Sequence, residues 1–224
     1  MEISVVIPAA GSGRRMGLDQ KKQFLVLEGL PVIVRTIQAF LNYDIIKTII
    51  VVTSPGDLGQ MEDLLRDHGL DQVVCVPGGK ERQDSVYQGL CQVKTSHVMV
   101  HDGARPFVSQ ELIAANIEGL KTQSALITAI PVKDTIKEVE GNHVKITLDR
   151  SSLVQVQTPQ SFETLLLKAA YDQAFERGLQ VTDDASVVEA YGQPVGLVAG
   201  SSLNVKLTLA EDLVLGAFIL RRLS

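Results

Sequence analysis

The chain has 224 residues, 45% of them hydrophobic and 21% charged, the balance of a globular protein rather than a disordered or collagen-like one. Its formal net charge of −5 argues against broad attraction to nucleic acid or an anionic membrane, while leaving room for a local cationic patch and a small anionic ligand. No apolar run reaches membrane-spanning length, no basic-then-apolar leader precedes Ile3, and Cys75 and Cys91 have neither disulfide-rich nor metal-ligand spacing, so the chain reads as cytoplasmic, with two reduced packing thiols and neither nucleic-acid nor membrane partners.

Short β-branched runs at Ile3 to Ile7, Thr48 to Thr53, Gln72 to Val76 and His97 to Val100 alternate with helix-period segments, the rhythm of a parallel sheet with crossover helices. The first crossover places Pro31 in an opening turn and puts Ile33, Ile37, Phe40 and Leu41 on one face. The second carries Leu58, Met61, Leu64 and Leu65 with Gly69 as its stop, and the third carries Val86, Leu90 and Val93. Ser109 is an N-cap candidate before Ile113, Ile117 and Leu120, and Ala125 to Ile130 reads as a buried strand.

From Pro131 to Gln160 the rhythm changes: a Gly141-Asn142 turn is followed by alternating Val144, Ile146 and Leu148, the pattern of a projecting hairpin. Such an arm leaves apolar residues needing cover, which a second subunit would supply. Helices are expected over Phe162 to Arg177 and Asp183 to Tyr191, and a strand over Val195 to Ala199. Thr208 and Glu211 form a capping-box pattern before a last helix ending in Arg221 and Arg222. With no repeat or low-complexity linker, residues 1–224 read as a single domain with a β-arm insertion at about 132–160.

The first strand runs into Pro8-Ala9-Ala10-Gly11-Ser12-Gly13-Arg14-Arg15-Met16-Gly17, with Lys21 and Lys22 close behind. Small residues let backbone amides approach phosphate oxygens, and the cations add mobile positive charge. This is neither a P-loop, which ends in Gly-Lys-Ser or Gly-Lys-Thr, nor the dinucleotide fingerprint, and the second strand lacks the acidic residue an NAD-binding fold often uses. His101-Asp102-Gly103-Ala104-Arg105-Pro106 follows another strand: Asp102 can hold Mg²⁺ against a triphosphate, Arg105 can bind a further phosphate, and His101 reads as structural. Gly78 to Ser85 again sets glycines between strand and helix, where backbone groups and the Ser85 hydroxyl could read a base. Asp149-Arg150, Thr158-Pro159-Gln160, Thr182-Asp183-Asp184 and Asn204-Val205-Lys206 are each, singly, as compatible with turns and caps as with a site.

Taken in order, these segments, with Lys22-Gln23-Phe24 and Pro131 to Thr135, resemble the 2-C-methyl-D-erythritol 4-phosphate cytidylyltransferases over nearly the whole chain. The resemblance implies an α/β, Rossmann-like nucleotidyltransferase fold with a mostly parallel sheet, a homodimer clasped by β-arms, and Mg²⁺-dependent transfer from CTP to a sugar-alcohol phosphate in the non-mevalonate route to isoprenoid precursors. It implies that Arg15 and Lys22 stabilise triphosphate charge, and that Arg150, Lys206, Arg105, Thr135, Thr158 and Asp183 position the acceptor. Pro8, Ala9, Ala10, Gly11, Gly13, Gly79 and Ser85 would contact the nucleotide, and Asp102 would lie near the metal. Gly103 stands where the family often has Ala, and Lys80 where an acidic residue is common. A ribitol 5-phosphate cytidylyltransferase, a non-catalytic nucleotide sensor and an NAD-binding enzyme are the alternatives.

Overall fold

The computed structural model describes residues 1–11 and 21–223. In chain order, β1 (Ile3–Pro8) is followed by a 3-10 turn (Lys22–Phe24), the short pair β2 (Val26–Leu27) and β3 (Leu30–Pro31), α1 (Val32–Gln38), β4 (Ile46–Thr53), α2 (Leu58–Asp67), β5 (Val74–Pro77) and α3 (Arg82–Cys91). Then come β6 (His97–Val100), α4 (Gln110–Gly119), β7 (Ala125–Pro131), β8 (Lys137–Glu140), β9 (His143–Thr147), β10 (Val154–Glu163), α5 (Thr164–Glu176), α6 (Asp184–Ala190), β11 (Gly196–Ala199) and α7 (Glu211–Leu223).

Among the described residues, seven strands form one sheet in the order β11-β7-β10-β6-β1-β4-β5. Only β10 runs antiparallel to its neighbours. Strand alternation splits β1 between two cores. Ile3, Val5 and Ile7 pack with Ile33 and Ile37 of α1, Met61 and Leu65 of α2 and Ile113 of α4. Val6 faces the opposite side, with Val86 and Leu90 of α3, Leu167 and Tyr171 of α5 and Val187 of α6. A strand buried on both faces reads as a continuous apolar run, as β1 does. A third cluster, including Leu25, Leu27, Phe107 and Ile219, seats α7 on the β2–β3 hairpin.

The sheet also decides where a ligand can sit. From β1 the chain passes to β4 and β5, then returns to the other side of β1 as β6. Connections diverge there, opening a crevice at the carboxyl ends of the strands. The segments after β1, β5 and β6 all emerge at that edge.

Several expected details shift. Pro31 is the N-cap of α1, not part of its first turn, and Leu41 lies beyond that helix, 41% exposed. The strand expected from Gln72 begins at Val74. Phe162 belongs to β10, where it pairs with Val98 and Ala125, and α5 starts two residues later. The Thr208 cap is completed by Asp212, not Glu211: the Asp212 carboxylate accepts from the Thr208 amide at 2.6 Å and from its hydroxyl at 3.0 Å. Cys91 is exposed rather than packed. β8 and β9 form a separate hairpin across Gly141 and Asn142, whereas β10, from Val154 onward, lies in the main sheet. No described helix is long and apolar enough to cross a membrane.

Candidate active site

A cavity of about 220 Å³ opens at this crevice, lined by Pro8, Ala9, Ala10 and Gly11 after β1, by Gly79, Arg82 and Ser85 around the start of α3, and by Asp102, Gly103 and Lys206. Backbone bonds fix its rim: the Ala9 amide donates to Val52 O at 2.7 Å and the Gly78 amide to Thr53 O at 2.7 Å. The paired glycines permit close packing. A Cβ on Gly79 would fall 2.3 Å from Asp84 Cβ, and one on Gly78 would fall 2.7 Å from Ser85 Oγ. That hydroxyl donates to Glu81 O at 3.1 Å and accepts from the Gly79 amide at 3.2 Å, leaving an oxygen lone pair for a ligand donor.

Asp102 is the electrostatic centre. Its carboxylate lies 2.7 Å from Lys206 Nζ, 3.5 Å from Arg82 Nε and 3.7 Å from Arg105 Nε. Burial alone would raise its pKa, but Arg82, Lys206 and Arg105 outweigh that and hold it well below the usual carboxylate range. Arg82 also donates two hydrogen bonds to Asp184, at 3.1 and 2.7 Å, and the Tyr171 hydroxyl donates to the same carboxylate at 2.6 Å. Three cations thus meet two carboxylates, so the cluster retains an excess positive charge beside the cavity, suited to an anionic ligand.

Backbone and side chain are locked together behind Asp102. Its amide donates to Thr158 Oγ1 at 3.1 Å, and Thr158 Oγ1 lies 3.1 Å from His101 Nδ1. His101 Nε2 meets Arg105 O at 3.0 Å. Because a carbonyl only accepts, the imidazole proton sits on Nε2, and Nδ1 accepts the Thr158 hydroxyl proton. Burial pulls the His101 pKa down to about 4, keeping the ring neutral.

The expected site residues divide into three groups. Pro8, Ala9, Ala10, Gly11, Gly79, Ser85, Asp102 and Lys206 border the cavity. Arg105, Thr158 and Asp183 lie behind it: Arg105 donates to Asn204 O at 2.7 Å, Thr158 supports Asp102, and Asp183 caps α6 while accepting from Gln160 at 2.8 Å. Thr135 and Arg150 are exposed and do not border the cavity; Arg150 donates to Lys133 O at 2.7 Å. Gly13, Arg15 and the Lys22 side chain lie outside the described residues. Arg82 and Asp184 lie in two of the candidate segments, Gly78 to Ser85 and Thr182-Asp183-Asp184, but sequence assigns neither a role. Arg82 shares a helical face with Ser85 three residues on, a signal available in the sequence; its partner is 102 residues away.

A family model for 2-C-methyl-D-erythritol 4-phosphate cytidylyltransferase matches residues 3–222. This chain belongs to that family. The Bacillus licheniformis 2-C-methyl-D-erythritol 4-phosphate cytidylyltransferase is 43% identical over 222 residues, covering 98% of this chain and 96% of the relative. The crystal structure of a 4-diphosphocytidyl-2C-methyl-D-erythritol synthase from Anaerococcus prevotii superposes with a TM-score of 0.86 at 32% identity, covering 99% of this chain and 96% of that one. The Thermus thermophilus 2-C-methyl-D-erythritol 4-phosphate cytidylyltransferase gives 0.83 at 35% identity, covering 99% and 100%. A Cβ on Gly103 would lie 3.0 Å from Ile33 Cδ1, a tight contact with a side-chain end.

Proposed function

We propose that the protein transfers the cytidylyl group of CTP to 2-C-methyl-D-erythritol 4-phosphate, releasing pyrophosphate in isoprenoid precursor biosynthesis, and that it does so as a cytoplasmic homodimer. Beside family membership, the observation that carries this reading is the Asp102 cluster, an excess of fixed cations at a cavity rimmed by backbone-rich loops. The acceptor's phosphate oxygen attacks the α-phosphorus as the bond to pyrophosphate breaks. An anionic oxygen needs no strong base; the barrier lies in bringing anions together, which fixed cations lower.

In this reading Lys206 holds acceptor phosphate, Arg15 and Lys22 face the triphosphate, and the free Ser85 lone pair suits the cytosine amino group. Asp102 is ionised and borders the cavity, and no group of three His, Cys, Asp or Glu side chains among the described residues could hold a metal. Asp102 is the buried carboxylate that would hold Mg²⁺ carried in on the triphosphate. When bound, Mg²⁺ would neutralise phosphate charge.

The exposed apolar residues Val139, Val144 and Ile146, respectively 62%, 61% and 52% exposed, support an arm covered by a second subunit. Dimerisation would also give Thr135 and Arg150 a route to an acceptor site away from their own cavity.

Purified protein with CTP and Mg²⁺ should release pyrophosphate with methylerythritol 4-phosphate and not with ribitol 5-phosphate, and Lys22→Ala should lower turnover by about a hundredfold or more. Exclusive use of ribitol 5-phosphate would overturn the acceptor, and CTP binding without turnover would leave a sensor.

A further inference from the structure

Gln23 is a polar group in the cavity wall that no described residue hydrogen-bonds through its side chain. It is 1% exposed, borders the same cavity as Asp102 and Lys206, and neither its Oε1 nor its Nε2 has a hydrogen-bond partner among the described residues. The other unbonded buried atoms among those residues belong to Thr53, Arg105, Thr164 and Asn204; each is a single atom, and none of these residues borders the cavity. A whole carboxamide withdrawn from water without a partner destabilises the ligand-free fold, whereas an apolar side chain of similar length would not.

Its position narrows what it meets. Gln23 follows Lys22 in the turn that packs on α1, on the sheet face opposite α3, into which the Gly79–Ser85 loop leads. Gln23 therefore reaches the cavity from the face opposite the one that carries the Gly79–Ser85 loop. No hydrogen bond from the described residues holds its rotamer, so turning Nε2 toward a ligand breaks none of theirs.

We propose that Gln23 is a substrate-contacting residue whose side-chain amide donates to a phosphoryl oxygen of a substrate held in the cavity. The inference rests on the cytidylyltransferase reading and deepens it by adding a neutral donor to the cations. Phosphoryl oxygen is shared by the triphosphate and the acceptor phosphate, so the experiment separates them.

Gln23→Met and Gln23→Leu preserve bulk without the amide. Each should raise the ligand-free Tm by about 2–4 °C, since an unpaired group is removed. Each should bind one substrate about tenfold or more weakly, because a hydrogen bond to a charged partner is lost. Titration with CTP and Mg²⁺, and separately with methylerythritol 4-phosphate, reads this out: weakened CTP binding assigns the contact to the triphosphate, and weakened acceptor binding assigns it to the acceptor phosphate. Wild-type affinity for both ligands, or a lower ligand-free Tm in both variants, would overturn the proposal. Wild-type protein that binds neither ligand would overturn the cytidylyltransferase reading and this assignment with it.

Discussion

His101 shows how one buried ring sets a pH limit on the fold. The ordinary imidazole pKa of 6.5 falls to about 4 in the folded chain because burial disfavours the charged form. An unfolded chain takes up the proton near pH 6.5 and the folded chain only near 4. Stability present above pH 6.5 is therefore lost as the pH falls through that window, by about 3 kcal/mol over its whole width. Thermal melts between pH 7 and 4 should show a falling Tm, and His101→Gln, which keeps a donor near Arg105 O, should flatten the slope; an unchanged slope would assign the loss to other groups. The residue types in His101 to Arg105 marked a site in sequence, but the roles within it depended on distance. Arg105 and Thr158, assigned to substrate by resemblance, contact Asn204 and the Asp102 amide.

At the scale of elements, Arg82 and Asp184 join the start of α3 to the start of α6 through a paired hydrogen bond, with Tyr171 of α5 as a third member. Asp184 is fully buried, so removing its cation leaves an uncompensated charge. Arg82→Met should cost about 3 kcal/mol or more in a urea titration. Adding Asp184→Asn should recover part of that loss; simple additivity would show that the two residues do not act as a pair. Local signals served well where an element is closed by its own neighbours. Ser109 caps α4 by accepting from the Leu112 amide at 3.2 Å, and Gly69 ends α2 with φ +68°. They failed where a distant strand competes: Phe162 fits a helical run but is drawn into β10 by Val98 and Ala125.

For the whole molecule, the separation of Arg150 from the cavity gives the proposed dimer a consequence. If the arm of one chain completes the acceptor site of another, Lys206→Ala and Arg150→Ala should each be inactive alone. Mixed and re-equilibrated, they should regain about a quarter of the wild-type sites, because each hybrid of an isologous pair holds one intact site. No recovery despite hybrid formation, measured by native mass spectrometry and pyrophosphate release, would confine the site to a single chain. Residue order alone carried the α/β rhythm, the three glycine- or Asp-bearing strand ends and, through their ordered set, the family resemblance. Those signals are local, carried by side-chain periodicity and turn chemistry within a few residues. The three-dimensional arrangement is what gathers Arg82, Arg105 and Lys206 on Asp102, leaves Gln23 without a hydrogen-bond partner among the described residues beside the cavity, and sets Arg150 apart from it. These relations follow from strand order and the return of the chain past β1, which sets residues a hundred positions apart within hydrogen-bond reach and which no local spacing encodes.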